Sequence, residues 1–202
     1  CDASPTISFL ETSSGSTSCG TITRTWTATD AAGNSSVASQ IITVSDMQAP
    51  VFAGILPQNM TVECSAIPAS AVLTAMDNCS ANVQVVFAET QTGSGCNYAI
   101  TRTWTATDDC GNQAIAEQTL DVEDTQAPVF AGVLPQNMTV ECSVIPAPAV
   151  LTAMDNCSAN VQVVFAETQN GSGCNYAITR TWTATDDCGN QAIAEQILNV
   201  ED

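Results

Sequence analysis

Asn97-Tyr98-Ala99-Ile100-Thr101-Arg102-Thr103-Trp104-Thr105-Ala106-Thr107-Asp108 is the stretch that decides the fold. It alternates strictly with period two, the repeat of a strand with two unlike faces. Thr101, Thr103, Thr105 and Thr107 line one face. Tyr98, Ile100, Arg102, Trp104 and Ala106 line the other, which makes Trp104 a core residue. Arg102 shares that face, and the reading gives it either an aromatic ring to pack on or a strand carboxylate such as Glu89. Upstream, Val83, Val85 and Phe87 alternate in the same way. Further strands are expected over 59–64, 71–76 and 113–122, with Gly, Pro, Asn and Asp in the gaps. Helix periodicity is absent. Six or seven short strands in under 80 residues predict an all-β chain of tandem immunoglobulin-like β-sandwich modules, strung as an extended rod.

The same stretch returns as 175–186, because the sequence repeats with a period of 78 residues. Residues 48–125 and 126–202 are read as full copies, and 1–47 as the C-terminal part of a divergent one. From 48 to 124 the full copies differ only at Ile55/Val133, Ala66/Val144, Ser70/Pro148, Thr92/Asn170, Thr119/Ile197 and Asp121/Asn199. Such near-identity suits spacers better than active sites. The chain is expected to be cut from something longer, with signal, anchor and terminal domains outside it.

Charge narrows the function. There are 21 acidic residues, no histidine and three basic residues, Arg24, Arg102 and Arg180, for a net charge of −18. Nucleic acid is excluded as a partner, because few cations exist to neutralise phosphates. Catalysis is not expected: lysine and histidine are missing for general-base work or nucleophile activation, and the carboxylates lie in turn motifs repeated in every copy. No stretch is long and apolar enough to span a membrane.

The ten cysteines are isolated rather than in C-x2-C pairs, which favours disulfides in an oxidising compartment over zinc. A module this small buries only about 60 per cent of its unfolded surface. Two disulfides would each add about 2–4 kcal/mol. Cys79 and Cys110 are expected at one end of the sandwich, Cys64 and Cys96 at the other. A Cys79–Cys96 bond would cross a strand of about 26 Å, against about 6 Å for a disulfide. The expected pairs are therefore Cys79–Cys110 and Cys64–Cys96, and by the period Cys157–Cys188 and Cys142–Cys174. The divergent copy points elsewhere: it keeps Cys1 and Cys19 but has Ala32 in place of a Cys110. That leaves Cys79–Cys96 standing as the rival pairing.

Acidic and amide side chains gather at three places per copy. The expected calcium ligands are the linker residues Asp46 and Asp124 with the loop residues Asp77, Asn78, Asp108, Asp109 and Asn112, and Asp155, Asn156, Asp186, Asp187 and Asn190. Calcium takes six to eight oxygens from such groups. The last strand of one copy would deliver its linker carboxylate to the loops of the next. The competing reading is that Asp, Asn and Gly here only form turns. No other cofactor is expected. Asn34, Asn59 and Asn78 open glycosylation sequons.

The phrases V-E-C, A-x-D-N-C, I-T-R-T-W-T-A-T-D-x-x-G-N and V-x-D-x-x-A-P resemble the HYR-like and immunoglobulin-like repeats of very large Bacteroidota surface adhesins, including those of gliding motility. The resemblance covers essentially the whole chain. It implies a filament exported by type IX secretion to the outer-membrane exterior, acting as a disulfide-stabilised stalk. Neighbouring repeats would be its immediate partners, and polysaccharide or motility machinery would be met through regions outside this segment. The alternative is that the repeats themselves bind polysaccharide or surface ligands.

Overall fold

The computed structural model describes residues 4–173 and 175–202. Every regular element among them is a strand, apart from one 3-10 turn over Cys64–Ala66. The chain divides into two compact units. One holds Cys1–Gln58, Ser70–Glu89 and Arg102–Gln118; the other holds Asn59–Ala69, Thr90–Thr101 and Thr119–Asp202. The units do not coincide with the sequence copies.

The first unit opens with a meander of β1 (Thr6–Gly15), β2 (Gly20–Thr29) and β3 (Ser35–Val44). Both pairings are antiparallel, with Trp26 opposite Phe9 and Ala38. The β1–β2 hairpin closes through Gly15 at φ +92°, and a Cβ on Gly20 would sit 2.2 Å from the Ser14 carbonyl oxygen. Only glycine fits so close an approach of backbone to backbone. In the same unit β4 (Val51–Phe52) pairs antiparallel with β6 (Ala75–Met76).

The second unit contains the whole of the last copy and shows its design. A small sheet pairs β10 (Val129–Ala131) with β12 (Thr152–Met154). A larger sheet has the order β11-β15-β14-β13, from β11 (Met138–Glu141), β13 (Gln162–Ser172), β14 (Asn175–Thr185) and β15 (Gln191–Glu201). Here β13, β14 and β15 form an antiparallel meander. β11 joins β15 in parallel, a pairing that alternation alone does not reveal. Side chains pin it: Asn137 Oδ1 accepts the Ile197 N–H at 2.8 Å, and Gln196 Nε2 donates to the Gln136 carbonyl at 2.8 Å. The middle copy repeats the order as β5-β9-β8-β7, from β5 (Met60–Glu63), β7 (Gln84–Ser94), β8 (Asn97–Thr107) and β9 (Gln113–Glu123).

The expected alternation on β8 holds. Ile100, Arg102, Trp104 and Ala106 are buried. Trp104 and Trp182 are each 1% exposed, and their indole N–H groups donate to the Ala71 and Ala149 carbonyls at 3.0 Å. Phe87 and Phe165 tilt against them at 5.3 and 5.2 Å. Arg102 and Arg180 take the carboxylate option, their Nε atoms lying 2.8 and 2.7 Å from Glu89 and Glu167. A buried guanidinium demands such a partner, because an uncompensated charge in the core is costly.

One strand expectation needs correction. The stretch 71–76 pairs as a strand only at Ala75–Met76; upstream of it the Ala71 carbonyl accepts the Trp104 indole N–H instead. In the divergent copy Trp26 is 37% exposed, and every residue of β1 is exposed.

Candidate cation site and cross-copy disulfides

The D-x-C-G-N hairpin sets the first loop of the site. Gly111 turns the chain at φ +88°. The Asp108 carboxylate accepts the N–H groups of Cys110 and Asn112 at 2.8 Å through Oδ1, and the Asn112 amide at 2.7 Å through Oδ2. Burial pushes the Asp108 carboxyl up, but these donors together hold it below its ordinary value. Asn112 also donates to the Asp46 carbonyl at 3.1 Å, which ties the linker to the hairpin. The second loop is built the same way: Asp77 Oδ1 accepts the N–H groups of Cys79 and Ser80 at 2.9 Å, which lowers its pKa.

Asp46, Asp77 and Asp108 each bring a carboxylate oxygen within 4.8 Å of the other two. Asp46 Oδ1 is used on the Gln48 N–H at 3.0 Å. The Oδ2 atoms of Asp46 and Asp77 are shielded from solvent and have no hydrogen-bond partner. Buried acceptors of this kind cost free energy unless something donates to them or binds them. Oxygen-only donors of like charge suit a hard divalent cation.

The second unit keeps the same two loops but does not close the same carboxylate triad: Asp124 and Asp186 group with Cys188, and Asp155 joins neither cluster. Asp186 repeats the hairpin, its Oδ1 accepting the Cys188 and Asn190 N–H groups at 2.8 Å. Asn190 donates to the Asp124 carbonyl at 3.1 Å. Asp155 Oδ2 is again shielded and unpartnered. Asp124 is buried; burial pushes its carboxyl up, and the charges of Asp155, Asp186 and Glu63 add to that. Two triads here include a cysteine: Asp124 and Asp186 with Cys188, and Glu63 and Asp124 with Cys157. Both sulfurs are committed to disulfides, so neither supplies the thiolate a metal binds. The carboxylates alone are the donors.

The other expected ligands lie apart from these triads. The Asn78 and Asn156 amides donate to the sulfurs of Cys79 and Cys157 at 3.2 and 3.1 Å. Asp109 and Asp187 are exposed. Their backbone N–H groups donate to Ser80 and Ser158. The amides of Asn112 and Asn190 turn their nitrogens to the aspartates, so these residues position the carboxylates.

The cysteine pairing differs from the expectation. The bonds are Cys19–Cys110, Cys64–Cys157 and Cys96–Cys188, with Cα separations of 5.5, 5.9 and 5.2 Å. Cys79–Cys110, Cys64–Cys96, Cys157–Cys188 and the rival Cys79–Cys96 are therefore not formed. Cys79 and Cys142 are free and exposed. Cys174 of the expected Cys142–Cys174 pair lies outside the described residues, as does Cys1. Cys64 and Cys96 do fall in one unit, and Cys79 and Cys110 in the other. Cys64 and Cys96 share a crevice with Cys157, Cys188, Asp124 and Asn156, and each bonds across to the following copy. All three bonds span 91 to 93 residues, more than one period.

More bonds surround the second-unit crevice. Thr125 Oγ1 donates to Glu63, and Asn156 Nδ2 donates to Ser65 Oγ at 3.1 Å. In the first unit Ser18 Oγ donates to the Cys79 carbonyl at 2.5 Å. The Asn156–Ser65 and Ser18–Cys79 bonds join neighbouring copies and carry no periodic signal. The one hint in the sequence was Cys19, whose copy has Ala32 where an intra-copy partner would stand.

No helix among the described residues is long and apolar enough to cross a membrane. Compared by sequence with curated proteins, the chain finds no significant match. Among solved structures it is similar to Drosophila N-cadherin EC1-4, at 12% identity and a TM-score of 0.35 over 96% of this chain and 58% of that one. It is similar to mouse clustered protocadherin gamma C3 EC1-3 at 16% identity and a TM-score of 0.37, covering 93% of this chain and 79% of that one. For protocadherin gamma B7 domains 1–4 the figures are 12%, 0.38, 98% and 67%. The chain thus spans little more than half the N-cadherin fragment. The family model of the HYR-like domain with four cysteines matches residues 53–122 and again 132–200, more than half of the sequence. With its four cysteines per period and its twice-matched domain, the chain belongs to the family of HYR-like domains with four cysteines.

Proposed function

We propose that this chain is a structural segment of a large extracellular adhesin filament, a stalk built from copies at 1–47, 48–125 and 126–202. The observation that carries the reading is the disulfide pattern. Each bond fastens one copy to the next, and disulfides persist in oxidising compartments outside the cytosol. A stalk gains from fastened joints, whereas a set of independent binding modules does not need them.

Calcium is the proposed second fastener. Asp46, Asp77 and Asp108 would hold one ion, and Asp124, Asp155 and Asp186 another. An ion there would satisfy the shielded Oδ2 atoms and neutralise the charges that raise Asp124. It would stiffen the joints by tying a linker carboxylate to two loops of the following copy. The motif likeness to the gliding-motility adhesin SprB supports placing the filament on the outer-membrane exterior of a gliding Bacteroidota cell, exported by type IX secretion. Polysaccharide and motility machinery would then be contacted outside this segment.

The test is retention. Beads coated with the purified chain should hold neither cells nor surface glycans. Retention by these copies alone would replace the stalk reading with the binding one.

A further inference from the structure

The connectivity of the bonds has a mechanical consequence. Cys19 bonds Cys110, and Cys96 bonds Cys188. Between Cys96 and Cys110 the chain is only 14 peptide links long, and those links are β8 with its two flanking turns. A covalent route therefore enters the middle copy at Cys110, runs backward along β8, and leaves at Cys96 for the last copy. The rest of the 78-residue period is bypassed.

We infer that these disulfides form a covalent cable, in which the middle copy contributes only β8 to the load path and tension cannot draw out the rest of that copy. The strand is well placed for this. In its sheet β8 lies between β9 and β7, so a pull along it shears two hydrogen-bonded ladders at once instead of peeling one. It also carries Ile100, Arg102, Trp104 and Ala106, all buried. In the last copy Cys188 follows β14, the equivalent central strand. The divergent copy departs from the scheme: Ala32 stands where Cys110 would be, so its β2 is joined to the cable at Cys19 alone.

Cys64–Cys157 belongs to a second route of the same kind. From Cys64 to Cys79, and from Cys142 to Cys157, the chain is 15 links long. Cys142 and Cys79 hold in their copies the positions that Cys64 and Cys157 hold in that bond. In this chain the second route has one rung, so it does not shorten the path between the ends.

The cable deepens the stalk reading and rests on it for its purpose, but its test reads connectivity alone. The full chain is tethered by its first and last residues between DNA handles and stretched in an optical trap. The shortest covalent route between the ends crosses about 46 links in place of about 201, so the oxidised chain should stop near 170 Å and the reduced chain near 700 Å, at about 3.5 Å per link. Cys188→Ser should lengthen the oxidised limit to about 380 Å, because the route must then use Cys64–Cys157. Cys64→Ser should leave it near 170 Å. Pairing within copies would give about 490 Å instead, and that result overturns the cable. So does a Cys188→Ser limit equal to that of the unaltered chain. Retention of cells by the coated beads would sink the stalk reading while leaving these lengths unchanged.

Discussion

Two stretches of this molecule share almost one sequence and differ in fate. Glu63-Cys64-Ser65-Ala66-Ile67 and Glu141-Cys142-Ser143-Val144-Ile145 differ by one methyl-bearing side chain. In the first, Cys64 is bonded to Cys157, Glu63 receives Thr125, Ser65 receives Asn156, and the backbone winds into a 3-10 turn. Ile67 packs against Ile100, Leu120 and Val122. In the second, all five residues are exposed and Cys142 is free. What separates them is the crevice of the second unit, which supplies Cys157, Asn156 and Thr125 to the first stretch. The end of the middle copy is thus completed by Cys157 and Asn156 of the following copy.

The largest effect that could break this comparison is covalent. Cys64→Ser should lower stability by about 2–4 kcal/mol in urea unfolding, whereas Cys142→Ser should stay within about 0.5 kcal/mol. Equal losses at the two positions would show that the segments are not in different states. Next comes the cation. Calcium at 100 times its dissociation constant should add about 2.7 kcal/mol, and EDTA should lower the melting temperature accordingly. Asp77→Asn should remove the response of the first site. Superimposable melts with EDTA and with millimolar calcium would leave the carboxylates as turn formers only.

A smaller effect sharpens the contrast at single bonds. Asn156→Ala removes the donor to Ser65 and should cost about 0.5–1 kcal/mol. Asn78→Ala, at the matching position of the middle copy, should cost less, because its amide reaches only the neighbouring Cys79 sulfur.

The pH dependence separates Asp108 from Asp124. Asp77 and Asp108 are held below the ordinary value of 3.8. Their contribution is present above that value and is lost as pH falls through the lowered one. Asp124 is raised, so its contribution is present below 3.8 and is lost as pH rises through the raised value. At pH 7 without calcium, Asp124→Asn should therefore stabilise and Asp108→Asn should destabilise, as read by urea midpoints. Calcium should cancel the gain from Asp124→Asn.

The smallest readout is kinetic. Although Cys79 is exposed, partial desolvation by its neighbours pushes its thiol up, and the charges of Asp46 and Asp77 push it further. Calcium held by those carboxylates should increase the thiolate fraction and speed alkylation of Cys79. An unchanged rate would remove the ion from this site.

Much of the fold was legible because strands write their faces into local sequence. Ile100, Arg102, Trp104 and Ala106 recur at every second position, and burial follows. The Glu89 partner of Arg102 was one of two options the sequence left open, an aromatic ring being the other, and the structure takes the carboxylate. The parallel β5 and β11 were not legible, because their pairing is long-range and rests on Asn59, Asn137 and the ends of β9 and β15. The carboxylates that meet were among those named in advance, but Asn78, Asp109, Asn112 and their equivalents were not separable from them. Position in a turn does not say whether an amide offers oxygen or nitrogen.

The sequence by itself determined an all-β repeat and a buried tryptophan in each full copy. The reason is that periodicity and strand length are properties of short stretches. Only the tertiary structure decided which cysteines bond. In a repeat, a partner in the same copy and a partner in the next have identical sequence surroundings, so no local pattern distinguishes them. The choice falls to the geometry of the crevice, which sets Cys157 and Cys188 across from Cys64 and Cys96 at Cα separations a disulfide spans.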